Sequence, residues 1–234
     1  MPKKTYKSRE TILVLDFGSQ YTQLIARRIR EARVYSEIID SAASAEEIAA
    51  HSPSGLVLSG GPASVHDDDA PTFDPAIFDL GIPILGICFG LQSVTQTFGG
   101  RVQRSGSREY GAAELHVKDA DDPLFKGLPG TIRVWMSHAD EVIEGTPKMT
   151  VIASSGSVPF AAVRDDDLKF RGVQFHPEVV HTKHGKKIIR NFARTICGCK
   201  GRWSPRAYIE ETVEKIQDQV GDRNVICGLS GGVD

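Results

Sequence analysis

The residues best placed to do chemistry are a cysteine set between glycines and a histidine two positions ahead of a glutamate. Cys88 stands in Gly86-Ile87-Cys88-Phe89-Gly90, between the apolar run Ile82–Ile87 and a helical pattern of Leu91, Val94, Thr95 and Phe98. A nucleophile at the tip of such a strand-to-helix turn is exposed, and glycines beside it remove the Cβ atoms that would crowd it. The following helix points its N-terminal dipole at the sulfur, which favours a thiolate over a thiol whose ordinary pKa is about 8.5. The pattern is the cysteine counterpart of the Gly-x-Ser-x-Gly nucleophile elbow. Taken alone, it suits a buried cysteine among packing glycines equally well.

The second motif is Gln174-Phe175-His176-Pro177-Glu178. In an extended segment residues two apart point the same way, so His176 and Glu178 share a face. Pro177 keeps the segment out of a helix. A base held by a carboxylate is what activation of a thiol requires, and this tips Cys88 towards a nucleophile. The third motif, Ser59-Gly60-Gly61-Pro62, closes another apolar run. Paired glycines let backbone N–H groups face a ligand, so the N–H of Gly61 and that of Phe89 are candidate oxyanion donors.

These motifs need a scaffold that brings strand ends together. Short β-branched runs alternate with helical patterns, which predicts an α/β fold: a mostly parallel open sheet covered by helices. Strands are expected at Thr11–Asp16, Val34–Ile39, Leu56–Ser59 and Ile82–Ile87, and a helix after Ser19 as N-cap, with Tyr21, Ile25, Ile29 and Ala32 on its apolar face. From Arg101 to Phe175 the helical period fades. Extended pieces at Ala113–Val117, Thr131–Met136, Thr150–Ala153 and Phe160–Arg164 predict an additional antiparallel β portion. A helix returns at Lys186–Ile196. Gly198 and Gly201 mark a boundary, Ser204 and Pro205 open another helix, and Val225–Leu229 reads as a strand. The expected division is a tail over 1–10, a main domain over 11–198 and a further piece over 199–234.

Composition narrows the classes. With 28 Lys+Arg against 30 Asp+Glu, the net charge of −2 leaves no footprint of a nucleic-acid binder. No apolar stretch is long enough for a membrane span or a signal sequence, so a cytoplasmic protein is expected. Cys197, Cys199 and Cys227 read as structural, and no metal site is expected: His181 and His184 lack a third ligand. Lys183, Lys186 and Lys187 read as a solvated face or an interdomain contact.

Taken together, Leu15–Leu24, Ser59–Pro62, Gly86–Gln92, Arg108–Gly111, Trp135–His138 and Val173–Thr182 resemble the class I, triad-type glutamine amidotransferases. The resemblance implies that Cys88, His176 and Glu178 form a catalytic triad that releases ammonia from L-glutamine through a thioester. It implies an oxyanion hole at Gly61 and Phe89. Gln92, with the backbone at Ser137 and His138, would bind the amino-acid end of the substrate. No cofactor is implied for this step. Ser230-Gly231-Gly232-Val233-Asp234 is similar to the start of the pyrophosphate loop of an ATP pyrophosphatase domain. That combination implies an enzyme of purine nucleotide biosynthesis that uses ATP and Mg²⁺ to aminate XMP to GMP. Such full-length enzymes are homodimeric, whereas this chain, stopping inside the loop, is expected to be monomeric and to retain at most the glutaminase half. Many relatives have Tyr and Met where this chain has Phe89 and Leu91, and Gly where it has Ala139. Another class I amidotransferase, or a thiol hydrolase of related fold, is the competing reading.

Overall fold

A computed structural model describes residues 10–228, and within them the side chains of all but 105–109 and 211. Ser230–Asp234 and nearly all of the expected tail lie outside the described residues. The chain divides into two compact units, one ending at Arg202 and one beginning at Trp203.

The first unit is built on strands β1 (Thr11–Asp16), β2 (Tyr35–Asp40), β3 (Gly55–Leu58), β4 (Ile84–Ile87), β5 (Arg101–Val117), β6 (Thr131–Glu144), β7 (Thr150–Ser155), β8 (Ala162–Asp165) and β9 (Phe170–Val173). Among the described residues these form a single sheet in the order β2-β1-β3-β4-β9-β8-β7-β5-β6. The pairings from β2 to β9 are parallel, and those from β9 onwards are antiparallel. The expected α/β sheet with an antiparallel portion is therefore present. Strand β9, unmarked in the sequence, joins its two halves.

Both faces of the parallel half are covered, and the alternation of side chains explains how. Ile12, Val14, Val57 and Leu85 face one core, with Ile25 and Ile29 of helix α1 (Thr22–Glu31). Leu13, Leu15, Leu56 and Leu58 face the other, with Ile48 of helix α2 (Ala45–Ala50) and Leu91 and Val94 of helix α3 (Phe89–Thr97). Each such fully buried side chain contributes about 1.5–3 kcal/mol, so near-continuous apolar strands are what a two-sided parallel sheet demands. Ile188 and Ile189 of helix α4 (Gly185–Asn191) and Phe192 of the π-turn that continues it join the first core.

Two local expectations need correction, and one helix carried no expectation. Ser19 is not the N-cap of α1: its hydroxyl accepts from Tyr21 N–H at 3.0 Å in a turn, and the helix begins at Thr22. Helix α2 carries a single buried residue, Ile48, too short a pattern to show a period; its start is marked instead by the Ser44–Glu47 capping box. Residues 225–228 pair with no strand among the described residues. The second unit contains helix α5 (Pro205–Val220), which opens as expected, with the Ser204 hydroxyl accepting from Ala207 N–H at 3.2 Å.

Candidate active site

The elbow forms because three backbones meet where side chains are missing. A Cβ on Gly90 would lie 2.5 Å from the Leu58 carbonyl oxygen, and one on Gly86 2.9 Å from the backbone of Gly90. Gly90 N–H donates to Ser59 O at 3.1 Å, which seats the first turn of α3 against the end of β3. Between them Cys88 is held at φ 50, ψ −105, a left-handed conformation that costs of order 1–3 kcal/mol for a residue with a Cβ. Its N–H donates to Val173 O at 2.7 Å and its carbonyl accepts from Gln92 N–H at 3.1 Å. Cys88 sits at the N-terminus of α3 and is buried, 4% exposed, where the elbow position predicted an exposed residue.

The histidine loop is held differently, by polar atoms. His176 N–H donates to Trp135 O at 3.0 Å. The Thr182 hydroxyl donates to His176 O at 2.6 Å and accepts from Trp135 N–H at 3.0 Å. Strand β6 thus pins the loop through both polar groups of one peptide residue. The imidazole Nδ1 lies 2.8 Å from Glu178 Oε1, which places its proton on that nitrogen. Arg28 of α1 donates to Glu178 O at 2.8 Å. Burial pushes the His176 pKa down. The Glu178 charge, hydrogen bonds to Cys88 and Glu178 and the Cys88 charge together overcome that and hold it well above the ordinary histidine value.

Both pieces open on one cavity of about 790 Å³, bordered by Gly61, Cys88, Gln92, Ser137, Asp140 and His176. That volume is within the usual range for a small-molecule site. Of the two paired glycines, Gly60 comes nearest the reacting pair: a Cβ there would lie 3.1 Å from His176 Cε1 and 3.8 Å from Cys88 Cβ. Gly61 abuts the Phe89 ring, where a Cβ would come within 3.5 Å, and 2.7 Å from Phe17 O. The Ser59 hydroxyl fixes this loop by accepting from Phe17 N–H at 3.0 Å and donating to Gly60 O at 2.8 Å. Ser137 offers its carbonyl to the Cys88 thiol at 3.7 Å. Gln92 spends its Nε2 inside the protein, donating to Asp140 O at 2.6 Å. His138 lies beside it, Nδ1 3.0 Å from the same carbonyl. His181 instead stacks on Trp135, with ring centroids 4.5 Å apart.

A strained thiol, a carboxylate-held imidazole and a paired-glycine loop on one cavity make an arrangement that can carry acyl transfer. Residues 13–196 match the family model "Glutamine amidotransferase class-I". The chain belongs to the class-I glutamine amidotransferase family.

Two curated relatives of this amidotransferase are the GMP synthases [glutamine-hydrolyzing] of Staphylococcus carnosus (strain TM300), 54% identical, and of Staphylococcus aureus (strain JH9), 53% identical, each over 228 residues. The match takes in 97% of this chain but 44% of each relative, so the chain spans under half the length of these proteins. A solved structure from Thermoplasma acidophilum, described as a candidate GMP synthase component, superposes with a TM-score of 0.70 at 32% identity, covering 88% of this chain and 98% of that one. A glutamine amidotransferase from Thermotoga maritima shares the fold, with a TM-score of 0.58 at 22% identity, covering 89% of this chain and 86% of that one.

Sequence reasoning missed three side chains of this amidotransferase site. Thr182 was legible only as part of the run after the glutamate. Asp140 lines the cavity, buried, and neither carboxylate oxygen has a hydrogen-bond partner among the described residues. Gln174, fully buried, reaches the Cys88 sulfur, Nε2 to Sγ 3.6 Å. The signal for the first two was proximity in sequence to Trp135–His138 and His176. For the third, the alternation that pairs His176 with Glu178 also pairs Gln174 with His176, a signal that was present in the motif.

Proposed function

We propose that this chain hydrolyses the side-chain amide of L-glutamine, with Cys88 as nucleophile, His176 as proton carrier and Glu178 as the carboxylate that orients it. His176 takes the Cys88 proton. The sulfur attacks the carboxamide carbon, a C–S bond forms, and the carbonyl electron pair moves onto oxygen between the N–H groups of Gly61 and Phe89. As the carbonyl re-forms the C–N bond breaks, and His176 returns its proton to the departing nitrogen, which leaves as ammonia. Water then attacks the glutamyl thioester, giving up a proton through His176. The C–S bond breaks, releasing glutamate and restoring the thiol. The single observation that carries this reading is that Cys88, at positive φ, and His176, held by Glu178, border the same cavity.

At the other end of the substrate, Gln92 has its nitrogen engaged, so its oxygen is the atom left to face a ligand. With the unpaired Asp140 carboxylate it makes an acceptor pair suited to the α-ammonium group. The backbone at Ser137 and His138 completes that end of the site. The test is ammonia release from glutamine: Cys88→Ala should lower it by roughly 10³-fold or more while leaving the fold intact. Ammonia release by the variant equal to that of the parent would remove Cys88 from the mechanism.

The names of the curated relatives support a further step. The ammonia would serve the ATP- and Mg²⁺-dependent amination of XMP to GMP by the whole protein, in purine nucleotide biosynthesis in the cytoplasm. In this reading 1–10 is a tail, 11–198 the glutaminase domain, and 199–234 a linker and the start of the ATP pyrophosphatase domain, with Ser230–Asp234 on its phosphate loop. The whole protein would be a homodimer and these 234 residues a monomer. Conversion of XMP to GMP with glutamine as nitrogen donor, assayed on the whole protein, tests it. GMP formed from free ammonia but not from glutamine would break the link to this chain. A thiol hydrolase would share the elbow, but neither it nor another class I amidotransferase accounts for the identity to GMP synthases over 97% of the chain.

A further inference from the structure

We infer that Gln174 is a fourth side chain of the reacting centre: its amide N–H donates to the Cys88 sulfur and ties that sulfur to Gln92 at the substrate end of the cavity. The inference rests on Cys88 being the nucleophile. The orientation of the two amides follows from donors and acceptors alone. A backbone carbonyl can only accept, so the Gln92 atom 2.6 Å from Asp140 O is its nitrogen. That nitrogen also lies 3.3 Å from Gln174, so the Gln174 atom facing it is an acceptor, Oε1. The remaining amide atom of Gln174, 3.6 Å from Cys88 Sγ, is therefore Nε2, a donor. Reversing Gln92 would set like against like at two contacts, and reversing Gln174 would do so against Gln92, where almost no exposed surface absorbs the error.

Gln174 is rigid for the same reason. Its side chain is fully buried and its backbone N–H donates to Ala161 O at 2.9 Å. The sulfur thus has two opposed polar neighbours besides His176. The Ser137 carbonyl, 3.7 Å away, accepts a thiol proton and repels a thiolate. The Gln174 N–H does the reverse, because a thiolate is much the stronger acceptor. An amide neither gains nor loses a proton across the working pH range, so this bias towards the ionised sulfur is constant. The Gln174–Gln92 contact also means that whatever settles against Gln92 bears on the donor that faces the sulfur.

The test is alkylation of the 234-residue chain by iodoacetamide from about pH 5 to about pH 10, with peptide mapping of Cys88. In this reaction the sulfur displaces iodide and a C–S bond forms, so the rate reads the thiolate without any glutaminase step. Gln174→Glu keeps the shape and replaces the donor with an acceptor; Gln174→Met removes it. Gln174→Met should slow labelling near neutrality by about tenfold while leaving the rate at alkaline pH unchanged; Gln174→Glu, which also sets a negative charge against the sulfur, should slow it further. Equal slowing at neutral and alkaline pH would mean that Gln174 only fills space, and would overturn the inference. In the parent protein the Gln174 side-chain NH₂ resonances should shift as the sulfur ionises; resonances that stay still across that pH range would overturn it whatever the variants do. Failure of Cys88 to label at all in the parent would instead sink the proposed function.

Discussion

The elbow and the histidine loop each deliver one reacting atom to the same cavity, and they are held by opposite means. Around Cys88 the constraint is absence: Gly86 and Gly90 let β3, β4 and α3 approach to distances that no Cβ would permit. Around His176 the constraint is presence: Thr182, Trp135 and Glu178 supply hydrogen bonds at 2.6–3.0 Å, and each has a named partner. The lesson concerns how each fails. Close backbone packing fails all at once, whereas a polar network can lose one member and keep its shape.

The sharpest way to break the comparison is Gly90→Ala. The added methyl would sit 2.5 Å from Leu58 O, against backbone that cannot swing aside, and a loss of about 3 kcal/mol is expected by denaturant titration. A fully stable Gly90→Ala protein would show that the elbow has slack. The loop should respond more gently. Glu178→Gln keeps the shape and removes the charge, so the His176 titration followed by NMR should move down from its raised value. A histidine pKa raised on folding adds stability that is fully present below the unfolded value of about 6.5 and is lost as pH rises through the folded one. The stability deficit of Glu178→Gln should therefore be largest near that lower limit and shrink at alkaline pH. A deficit independent of pH would mean that Glu178 acts through packing alone.

The smallest effect sharpens the contrast. Cys88→Gly should abolish ammonia release yet stabilise the chain by about 1 kcal/mol, because glycine relieves the φ 50 backbone while loosening the unfolded chain somewhat. A stability loss there would show that the cysteine side chain contributes more by packing than its backbone loses by strain.

Much of the molecule was legible in its residues, for identifiable reasons. The runs Thr11–Asp16 and Leu56–Leu58 announce themselves because both faces of a parallel strand are buried. Strand β9 did not, since Phe170-Arg171-Gly172-Val173 is short and interrupted by an arginine and a glycine. Gly172 is there because a Cβ would lie 2.5 Å from Leu91 Cδ1, a long-range fact. The site divides in the same way. Cys88, His176, Glu178 and the paired glycines carry their chemistry in local spacing, and the fold sets Cys88, His176 and Gly61 around one cavity with Glu178 holding His176. Gln174 shares the two-residue alternation of His176 and Glu178, but its contact with Cys88, 86 residues away, and the place of Asp140 are set by the fold.

The distance between Cys88 and its partners also governs when the reactive centre can exist. Cys88 lies 86 residues before Gln174, and the bond from Cys88 N–H to Val173 O requires β9 to have docked beside β4. A growing or half-folded chain that has made β1 to β4 therefore holds a bare thiol with neither base nor amide donor. Closing so long a loop is late in any folding order governed by contact separation. The chain is thus spared an activated nucleophile during the interval when stray electrophiles would reach it most easily.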